Sequence, residues 1–369
     1  MQLRYRRQAA AAGISVVALT LTLGACSSSA TSAPSGGSTG TATATSGGGS
    51  SNLSGTLNGS GSTFQLTFQQ EAISSFKSVQ SSMTVNYGGG GSGKGRTDLA
   101  SGTVNYAGSD STIPAAEKAG FKGKTVLYFP VIVGPITLSY NLSGLSKPLQ
   151  LSAPVIAGIF GGKITKWNDS KIAADNPGVT LPSTAIAIAV RSDSSGTTAN
   201  FTKFLTEAAG SAWTLGSSSI VKWPSTAHAA SGNGGVAQVI KSTPGAIGYV
   251  DYSTAKASSL TFASIKNKDG SYVAPSVQSA TAAADNATVK PDDTFTAIWA
   301  SGATSYPITY QSFVLVYQTQ PNANDAAMLK AYIGYLLGDG QKLLPQLNYA
   351  PLPSNIDQQA TAQLNKLSG

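Results

Sequence analysis

Apolar residues recur along this chain with two different spacings. Alternating or continuous apolar runs predict strands over 83–87, 104–107, 125–137, 185–190, 245–250 and 313–317. The third of these runs is broken by Pro130, Gly134 and Pro135. Apolar residues three and four positions apart predict helices over 64–76, 154–160, 201–208 and 326–337. The alternation of strands and helices indicates an α/β fold with mainly parallel strand pairing, beginning near Leu53.

The first 25 residues have the pattern of an export signal. Arginines at positions 4, 6 and 7 precede an apolar stretch, residues 9–25, that is short and glycine-interrupted for a membrane span. The stretch ends in Leu-Gly-Ala-Cys, which resembles the lipobox of bacterial lipoproteins, and Cys26 is the only cysteine of the chain. We interpret residues 1–25 as a lipoprotein signal peptide and Cys26 as the lipid-anchored N-terminus. A plain secretory signal is the alternative.

Composition narrows the classes of function. Residues 26–52 consist almost entirely of Ser, Gly, Thr and Ala, so we expect a flexible tether that cannot form a core. The formal net charge is +8, but charged residues make up only 11% of the chain and form no basic run, which argues against nucleic acid. With one histidine and one cysteine, the chain offers no His/Cys cluster for a metal. We expect a monomer without a cofactor.

The most distinctive sequence is Arg-Ser-Asp-Ser-Ser-Gly-Thr at 191–197, between a predicted strand and a predicted helix. A helix that starts here directs free N–H groups and the positive end of its dipole towards one point. Ser195 and Thr197 add hydroxyl donors, and Gly196 permits close approach. Arg191 can hold an oxyanion through two oxygens, and Asp193 lies on the same side and can brace it. The run therefore favours a tetrahedral oxyanion.

Three further turns carry small hydroxyl residues, at 59–64, 88–95 and 107–110. Ligands of open α/β sheets bind at the carboxyl ends of strands, so we expect these turns to form a cage of donors with the 191–197 run. Asp110 is the exception, because a carboxylate repels an anion unless the anion brings a proton. Phosphate at neutral pH has such a proton and sulfate does not. Asp110 thus predicts selection of phosphate over sulfate.

The sequence resembles the phosphate-binding proteins of phosphate ABC transporters over nearly all of residues 56–360. The matching blocks are GSGSTF at 59–64, GSG at 91–93, AGSD at 107–110, FGGKITKWND at 160–169, RxDxSGT at 191–197, VKWP at 221–224 and PGAIGYV at 244–250. The resemblance implies a two-lobed, type II periplasmic-binding-protein fold with mixed sheets that closes on its ligand like a hinge. We expect lobe I to comprise 53–135 and 309–369 and lobe II to comprise 136–308, with hinge crossings near 134–139 and 308–314.

The resemblance also implies roles for individual residues. Asp110 would accept the phosphate proton, Arg191 would make the charged contact, and Asp193 would brace Arg191. The residues expected to contact phosphate are Thr63, Phe64, Ser92, Asp110, Arg191, Ser195, Gly196 and Thr197. Two stretches depart from the family pattern: Gln65 stands where many relatives have Pro, and Ser-Gly-Lys-Gly at 92–95 stands where many have Ser-Ser-Gly-Gly. We expect the Lys94 side chain to be solvated.

These observations predict a lipid-anchored, extracytoplasmic protein that binds inorganic phosphate with high affinity, delivers it to the permease subunits of an ABC transporter, and performs no catalysis. Another protonated oxyanion, arsenate or a phosphonate, is the alternative ligand. A nucleotide-binding P-loop at 88–95 is disfavoured, because Gly95 stands where Ser or Thr must hold the metal. A serine hydrolase using Ser195 or Ser92 would need His228, which we expect on the surface. We also expect Asp251 to be solvated.

Overall fold

Twelve β-strands and ten α-helices alternate along residues 53–369, the part of the chain that the computed structural model describes. The predicted signal peptide, Cys26 and the tether lie outside the described residues. The strands are β1 (Gly55–Gly61), β2 (Met83–Gly88), β3 (Tyr106–Ser109), β4 (Val126–Tyr140), β5 (Gln150–Leu151), β6 (Ala187–Arg191), β7 (His228–Ala230), β8 (Ala246–Asp251), β9 (Thr261–Phe262), β10 (Ser264–Lys266), β11 (Tyr272–Val273) and β12 (Thr309–Tyr317).

The helices cover these strands and include every helix that the apolar spacing predicted. They are α1 (Leu66–Phe76), α2 (Ser92–Ser101), α3 (Ala153–Phe160), α4 (Ser170–Asp175), α5 (Gly196–Ala208), α6 (Gly232–Ser242), α7 (Tyr252–Ala257), α8 (Val277–Asp285), α9 (Ala323–Leu337) and α10 (Ser354–Gln363). Within 53–369, no helix is long and apolar enough to cross a membrane.

Nine strands form one mixed sheet in the order β2-β1-β3-β12-β4-β8-β6-β7, with β9 also paired to β4. A second, small sheet has the order β11-β10-β5. Pairing is parallel within β2-β1-β3 and within β8-β6-β7, but antiparallel wherever β12 or β4 takes part. The expectation of mainly parallel pairing is therefore wrong for the centre of the sheet. There, the late strand β12 inserts between β3 and β4.

Strand β4 is continuous over 15 residues, although the sequence indicated that its prolines and Gly134 would break it. A proline removes one donor from the ladder, so a strand that contains it needs a local irregularity. The pairing with β12 contains one: Ser312 lies opposite Ile132 and the next residue, Phe313, lies opposite Pro130, so β4 carries one extra residue, Val131. The same irregularity lies where Ser312 approaches the functional site described below.

Strand β4 also connects the two halves of the sheet. It pairs with β12 over residues 126–135 and with β8 over residues 136–140. Helices α6 to α10 all pack against it, and nearly every one of its residues is buried. The parallel strand groups on either side are thus held to one buried central strand.

Helix α2 begins at Ser92, within the glycine-rich run that the sequence analysis interpreted as a turn. Gly90 and Gly91 have φ values of 127° and 92°. Side-chain-bearing residues rarely adopt such backbone angles, so glycine allows the chain to pass from β2 into α2 over very few residues. As a result Ser92, the first residue of α2, is fully buried.

Candidate anion-binding site

The ends of β1 and β3 lie side by side and place Ser62 next to Asp110. These strands are parallel, with Gly61 opposite Gly108, and the Ser62 N–H donates to the Gly108 carbonyl at 2.9 Å. A Cβ atom on Gly61 would lie 2.2 Å from that carbonyl oxygen, and its φ is 134°. Glycine is thus required for the close approach, which lets the Ser62 hydroxyl donate to Asp110 Oδ1 at 2.5 Å.

The buried carboxylate of Asp110 is surrounded by hydroxyl groups. Ser62 and Ser312 each donate to Oδ1 at 2.5 Å, while the Ser92 hydroxyl donates to Oδ2 over a longer distance, 3.3 Å, and accepts the Asp110 N–H at 3.1 Å. Burial raises the pKa of Asp110 above its ordinary value, although the hydroxyls of Ser312 and Ser62 and the charge of Arg191 oppose the rise. With two short bonds on Oδ1, Oδ2 is the oxygen with capacity for a further proton donor.

Arg191 and Asp193 form an ion pair at the end of β6. Arg191 Nε donates to Asp193 Oδ1 at 2.8 Å and Nη2 donates to Oδ2, so the pair is bidentate. Gly232 N–H also donates to Asp193 Oδ1, at 3.0 Å. Partial burial raises the pKa of Asp193, but the hydrogen bonds and charge of Arg191 outweigh it and hold the pKa below its ordinary value. Asp193 therefore remains a fixed negative charge that orients the guanidinium and leaves Nη1 outside the pair.

The N-terminus of α5 follows directly. Ser195 caps the helix, because its Oγ accepts the Thr198 N–H at 3.1 Å, and its own N–H donates to the Ser219 carbonyl at 3.0 Å. Gly196 and Thr197 are the first helical residues, and N–H groups in a first turn have no acceptor within the helix. Ser195, Gly196 and Thr197, which the sequence predicted to contact the anion, are all buried. Among residues 53–369, the N–H groups of Gly196 and Thr197 are thus the donors of this turn that are left for a ligand.

Helix α5 is in direct contact with Asp110. Asn200 Nδ2 donates to the carbonyls of Asp110 and Gly196 at 2.7 and 2.9 Å. A Cβ atom on Gly196 would lie 2.4 Å from Ser92 Oγ and 2.7 Å from Asp110 Oδ2. Only a residue without a side chain fits between the helix and the carboxylate, so Gly196 allows the N-terminus of α5 to reach the Asp110 side of the site.

Asn233, at the start of α6, connects two other predicted residues. Its N–H and Nδ2 lie 3.3 and 3.2 Å from Thr63 Oγ1, and Nδ2 lies 3.4 Å from Thr197 Oγ1. The Oδ1 atom of Asn233 is buried and has no hydrogen-bond partner among residues 53–369. Next to Thr63, the Phe64 N–H donates to Ser62 Oγ at 3.1 Å. Thr63 and Phe64 therefore adjoin both the Asp110 cluster and the α5 N-terminus.

The structure thus brings the eight residues predicted to contact the anion into one connected region. Sequence reasoning missed four residues that complete it: Ser62, Asn200, Asn233 and Ser312. Ser62 lies inside the matching block at 59–64 and could have been found there. Ser312 lies within an apolar strand and joins the site through the pairing of β12 with β3, which sets Phe313 opposite Ser109, a feature with no local sequence signal.

The structure shows the surroundings of three side chains that the sequence singled out: Lys94, His228 and Ser195. Lys94 is 55% exposed and pairs with Asp98 at 2.6 Å, as expected for a solvated lysine. His228 is exposed on β7, while Ser195 Oγ serves as a helix cap, so neither is arranged as a nucleophile with its base.

The expectation of a solvated Asp251 is wrong. This residue is fully buried at the end of β8 and caps α7, accepting the N–H and hydroxyl of Thr254 at 2.8 and 2.6 Å. Burial raises the pKa of Asp251 to about 6, although the bonds from Thr254 oppose the rise. Two buried carboxylates, Asp110 and Asp251, therefore influence each other electrostatically.

Chemically, the region combines one guanidinium, the N–H groups of a helix start, several hydroxyls and one proton acceptor. Donors and positive charge attract an anion. The acceptor Asp110 repels any anion that has no proton to share. The arrangement fits an oxyanion that carries a proton.

Comparison with known proteins agrees with this geometry. Residues 31–340 match a family model described as a PBP superfamily domain. The phosphate-binding protein PstS of Pasteurella multocida is 35% identical over 313 residues, which cover 84% of this chain and 89% of that protein. The phosphate-binding protein PstS 3 of Mycobacterium leprae is 33% identical over 323 residues, covering 85% and 87%. This chain belongs to the phosphate-binding protein family of the PBP superfamily.

Solved structures show the same fold. A phosphate-binding protein from Stenotrophomonas maltophilia superposes with a TM-score of 0.66 at 20% identity, over 84% of this chain and 93% of that one. An ABC-type phosphate transport receptor from Vibrio cholerae gives 0.54 at 17% identity, over 80% and 100%. The α/β periplasmic-binding-protein fold expected from the family resemblance is therefore confirmed.

Proposed function

We propose that this protein binds inorganic phosphate with high affinity and delivers it to the membrane permease of a phosphate ABC transporter, without covalent chemistry. The observation that carries the proposal is the buried acceptor Asp110 beside the donors of Arg191 and the α5 N-terminus. The names of the Pasteurella and Mycobacterium relatives support the same ligand.

Selectivity for phosphate follows from the two carboxylates. Asp193 neutralises part of the charge of Arg191 and holds its planar fork in place. Asp110 offers Oδ2 to a proton on the ligand, so phosphate gains a hydrogen bond where sulfate meets repulsion. Donors attract either anion, and the acceptor distinguishes between them.

We further propose that the site forms by closure of two lobes, 53–135 with 309–369 and 136–308, about crossings near 134–139 and 308–314. Contacts between the two sets of residues support this. The Gly93 N–H donates to the Ser194 carbonyl at 3.0 Å, and Asn233 contacts Thr63. Closure would surround the anion with donors from both lobes and exclude water.

We propose that the protein is a monomer anchored through lipid on Cys26 to the outer face of the cell membrane. The sequence Leu-Gly-Ala-Cys at 23–26 supports the anchor. Cys26→Ala should move the protein from the membrane fraction to the soluble fraction and abolish incorporation of labelled palmitate. Unchanged membrane fractionation of that variant would contradict the anchor.

Calorimetric titration of the purified protein tests the binding function. At about neutral pH we expect tight binding of phosphate and no measurable binding of sulfate at the same concentrations. Equal binding of the two anions would contradict the role given to Asp110. Binding of neither would contradict the proposed function itself.

A further inference from the structure

A chain of four hydrogen bonds runs from the core to Asp110. The Tyr332 hydroxyl donates to Gln69 Oε1 at 2.6 Å, and Gln69 Nε2 donates to Gln65 Oε1 at 2.9 Å. Gln65 Nε2 then donates to Ser312 Oγ at 2.7 Å, and Ser312 Oγ donates to Asp110 Oδ1 at 2.5 Å. All five residues are essentially inaccessible to solvent. Water is therefore excluded as a competing partner along the chain.

The direction of these bonds is fixed by Gln65. Its Nε2 also donates to the Phe313 carbonyl at 2.8 Å, and a carbonyl cannot donate in return. Reversing the amide would place Oε1 against that carbonyl and Nε2 against the Gln69 amino group, so only one orientation satisfies every atom. Ser312 must accept from Gln65, and its single proton is left for Asp110.

We propose that Gln65 is a positioning residue that holds the Ser312 hydroxyl proton on Asp110 Oδ1, so that Oδ2 is the oxygen left to receive the proton of a bound oxyanion. This inference rests on the proposed function, in which Asp110 accepts that proton. Gln65 itself does not contact the ligand. It acts through Ser312.

A matched set of variants tests the inference. Gln65→Met keeps the length of the side chain but cannot donate, so the Ser312 hydroxyl can turn away from Asp110. Gln65→Glu places an acceptor against Ser312 and draws its proton away. Gln363→Met is the control, because Gln363 is also a buried glutamine and donates to the Tyr128 carbonyl at 2.7 Å, away from the site.

The primary readout is the pH titration of the Asp110 carboxyl, followed by carbon-13 NMR of aspartate-labelled protein without ligand. A hydrogen bond to an ionised carboxylate favours the charged form, so weakening it raises the titration midpoint. We expect a rise of about one pH unit in Gln65→Met, a larger rise in Gln65→Glu, and none in Gln363→Met.

Other groups that act on Asp110 must be separated from this effect. The titratable and charged groups that interact with it electrostatically are Arg191, Asp251, Tyr87, Tyr310 and Tyr349. Burial raises the pKa of each of these tyrosines, so they stay neutral at acidic and neutral pH, where the Asp110 carboxyl is titrated. Asp251 has a pKa of about 6 and also titrates at these pH values, so the comparison is repeated in an Asp251→Asn background.

A double-mutant cycle with Ser312→Ala separates this mechanism from a general loss of packing. If Gln65 acts through Ser312, then Gln65→Met should cause no additional shift once Ser312 is alanine. Phosphate affinity in Gln65→Met should fall by up to about tenfold at pH values below the Asp110 titration midpoint and stay within about threefold of the wild type at pH values well above it. An unshifted Asp110 midpoint in a folded Gln65→Met or Gln65→Glu protein would overturn the inference, as would an equal shift in the Ser312→Ala background.

The proposed function and this inference can fail separately. If the wild-type protein binds no phosphate, the proposed function fails, yet the Asp110 titration of the unliganded variants still decides the role of Gln65. If phosphate binds and the titrations coincide, the function stands and the inference fails.

Discussion

The candidate site contains two carboxylates, Asp110 and Asp193, and their surroundings shift their pKa values in opposite directions. Asp193 is paired with Arg191 through a bidentate bond and has a lowered pKa. Asp110 is more deeply buried, is bonded by hydroxyls, and has a raised pKa. The same functional group thus has its pKa shifted in opposite directions at the two positions, and the difference lies in burial and partners. This contrast is what the proposed roles require, a permanent charge at Asp193 and a proton acceptor at Asp110.

Under the proposed function, this contrast explains how a site that attracts anions would also reject one of them. Arg191, oriented by Asp193, supplies attraction that phosphate and sulfate share. Asp110 accepts a hydrogen bond only from an anion that carries a proton, so its contribution depends on the ligand's proton. Variants at Arg191 or Asp193 should therefore alter the affinity for every anion, whereas variants at Asp110 should alter the selectivity between phosphate and sulfate.

The largest effect is expected on the Asp193 side. Arg191→Ala removes the guanidinium and leaves Asp193 as an unpaired, half-buried charge, so phosphate affinity should fall by about 10²- to 10³-fold. Arg191→Lys keeps the charge but loses the planar fork and should lie between that variant and the wild type. Calorimetric titration with phosphate measures both. An Arg191→Ala protein within tenfold of the wild type would show that the guanidinium does not carry the charged contact.

A smaller effect is expected from crowding the Asp110 side. In Gly196→Ala the new Cβ would lie 2.6 Å from Asp110 Cβ and 2.4 Å from Ser92 Oγ, so one of these groups must move. A displacement of this size should weaken phosphate binding by about 10- to 100-fold. Gly234→Ala is the control, because nothing lies within 4 Å of its added Cβ. Equal affinities of the two variants in the same titration would mean that Gly196 does not set the approach of α5.

The smallest effect on binding is expected at the third carboxylate, Asp251. Its pKa is raised to about 6 from an ordinary value of 3.8, so between about pH 4 and pH 6 the native state holds more protons than the unfolded state. Stability is therefore lost as the pH rises through this window, by a total of about 3 kcal/mol. Asp251→Asn cannot ionise and should remove this component, with phosphate affinity changing less than about threefold.

Urea unfolding of the wild type and Asp251→Asn at about pH 4 and pH 7 measures the difference. The free energy of unfolding of the wild type, relative to the variant, should decline as the pH rises. A constant difference at both pH values would show that Asp251 does not ionise in this window.

Local motifs were enough to predict most of the residues that the structure brings together in the candidate site. Each block, such as 191–197, carries its donors on one turn between a strand and a helix, so the chemistry can be recognised without knowing the neighbours. Sheet order depends on distant pairing instead, and neither the insertion of β12 between β3 and β4 nor the continuity of β4 through Pro130 has a short-range signal.

Ser312 and Asn233 were not found from the sequence for the same reason, because their contacts join distant parts of the chain. Ser312 reaches Asp110 across 202 positions of the chain, and Asn233 reaches Thr63 across 170. The environment of Asp251 was misjudged because an aspartate after an apolar strand is usually solvated, whereas here the helix cap and the surrounding sheet bury it. The sequence could predict which of these residues lie together, but not the packing that tunes their proton affinities.

The most direct test of the separate roles proposed for the two carboxylates is calorimetry of Asp110→Asn and Asp193→Asn, each titrated with phosphate and with sulfate. An asparagine at position 110 can place an amino group where Oδ2 now accepts, so phosphate binding should weaken by about tenfold or more while sulfate binding becomes measurable. Asp193→Asn should instead weaken binding without admitting sulfate. If Asp110→Asn stays as selective as the wild type, or if both variants lose selectivity alike, the assignment of separate roles to the two carboxylates is wrong.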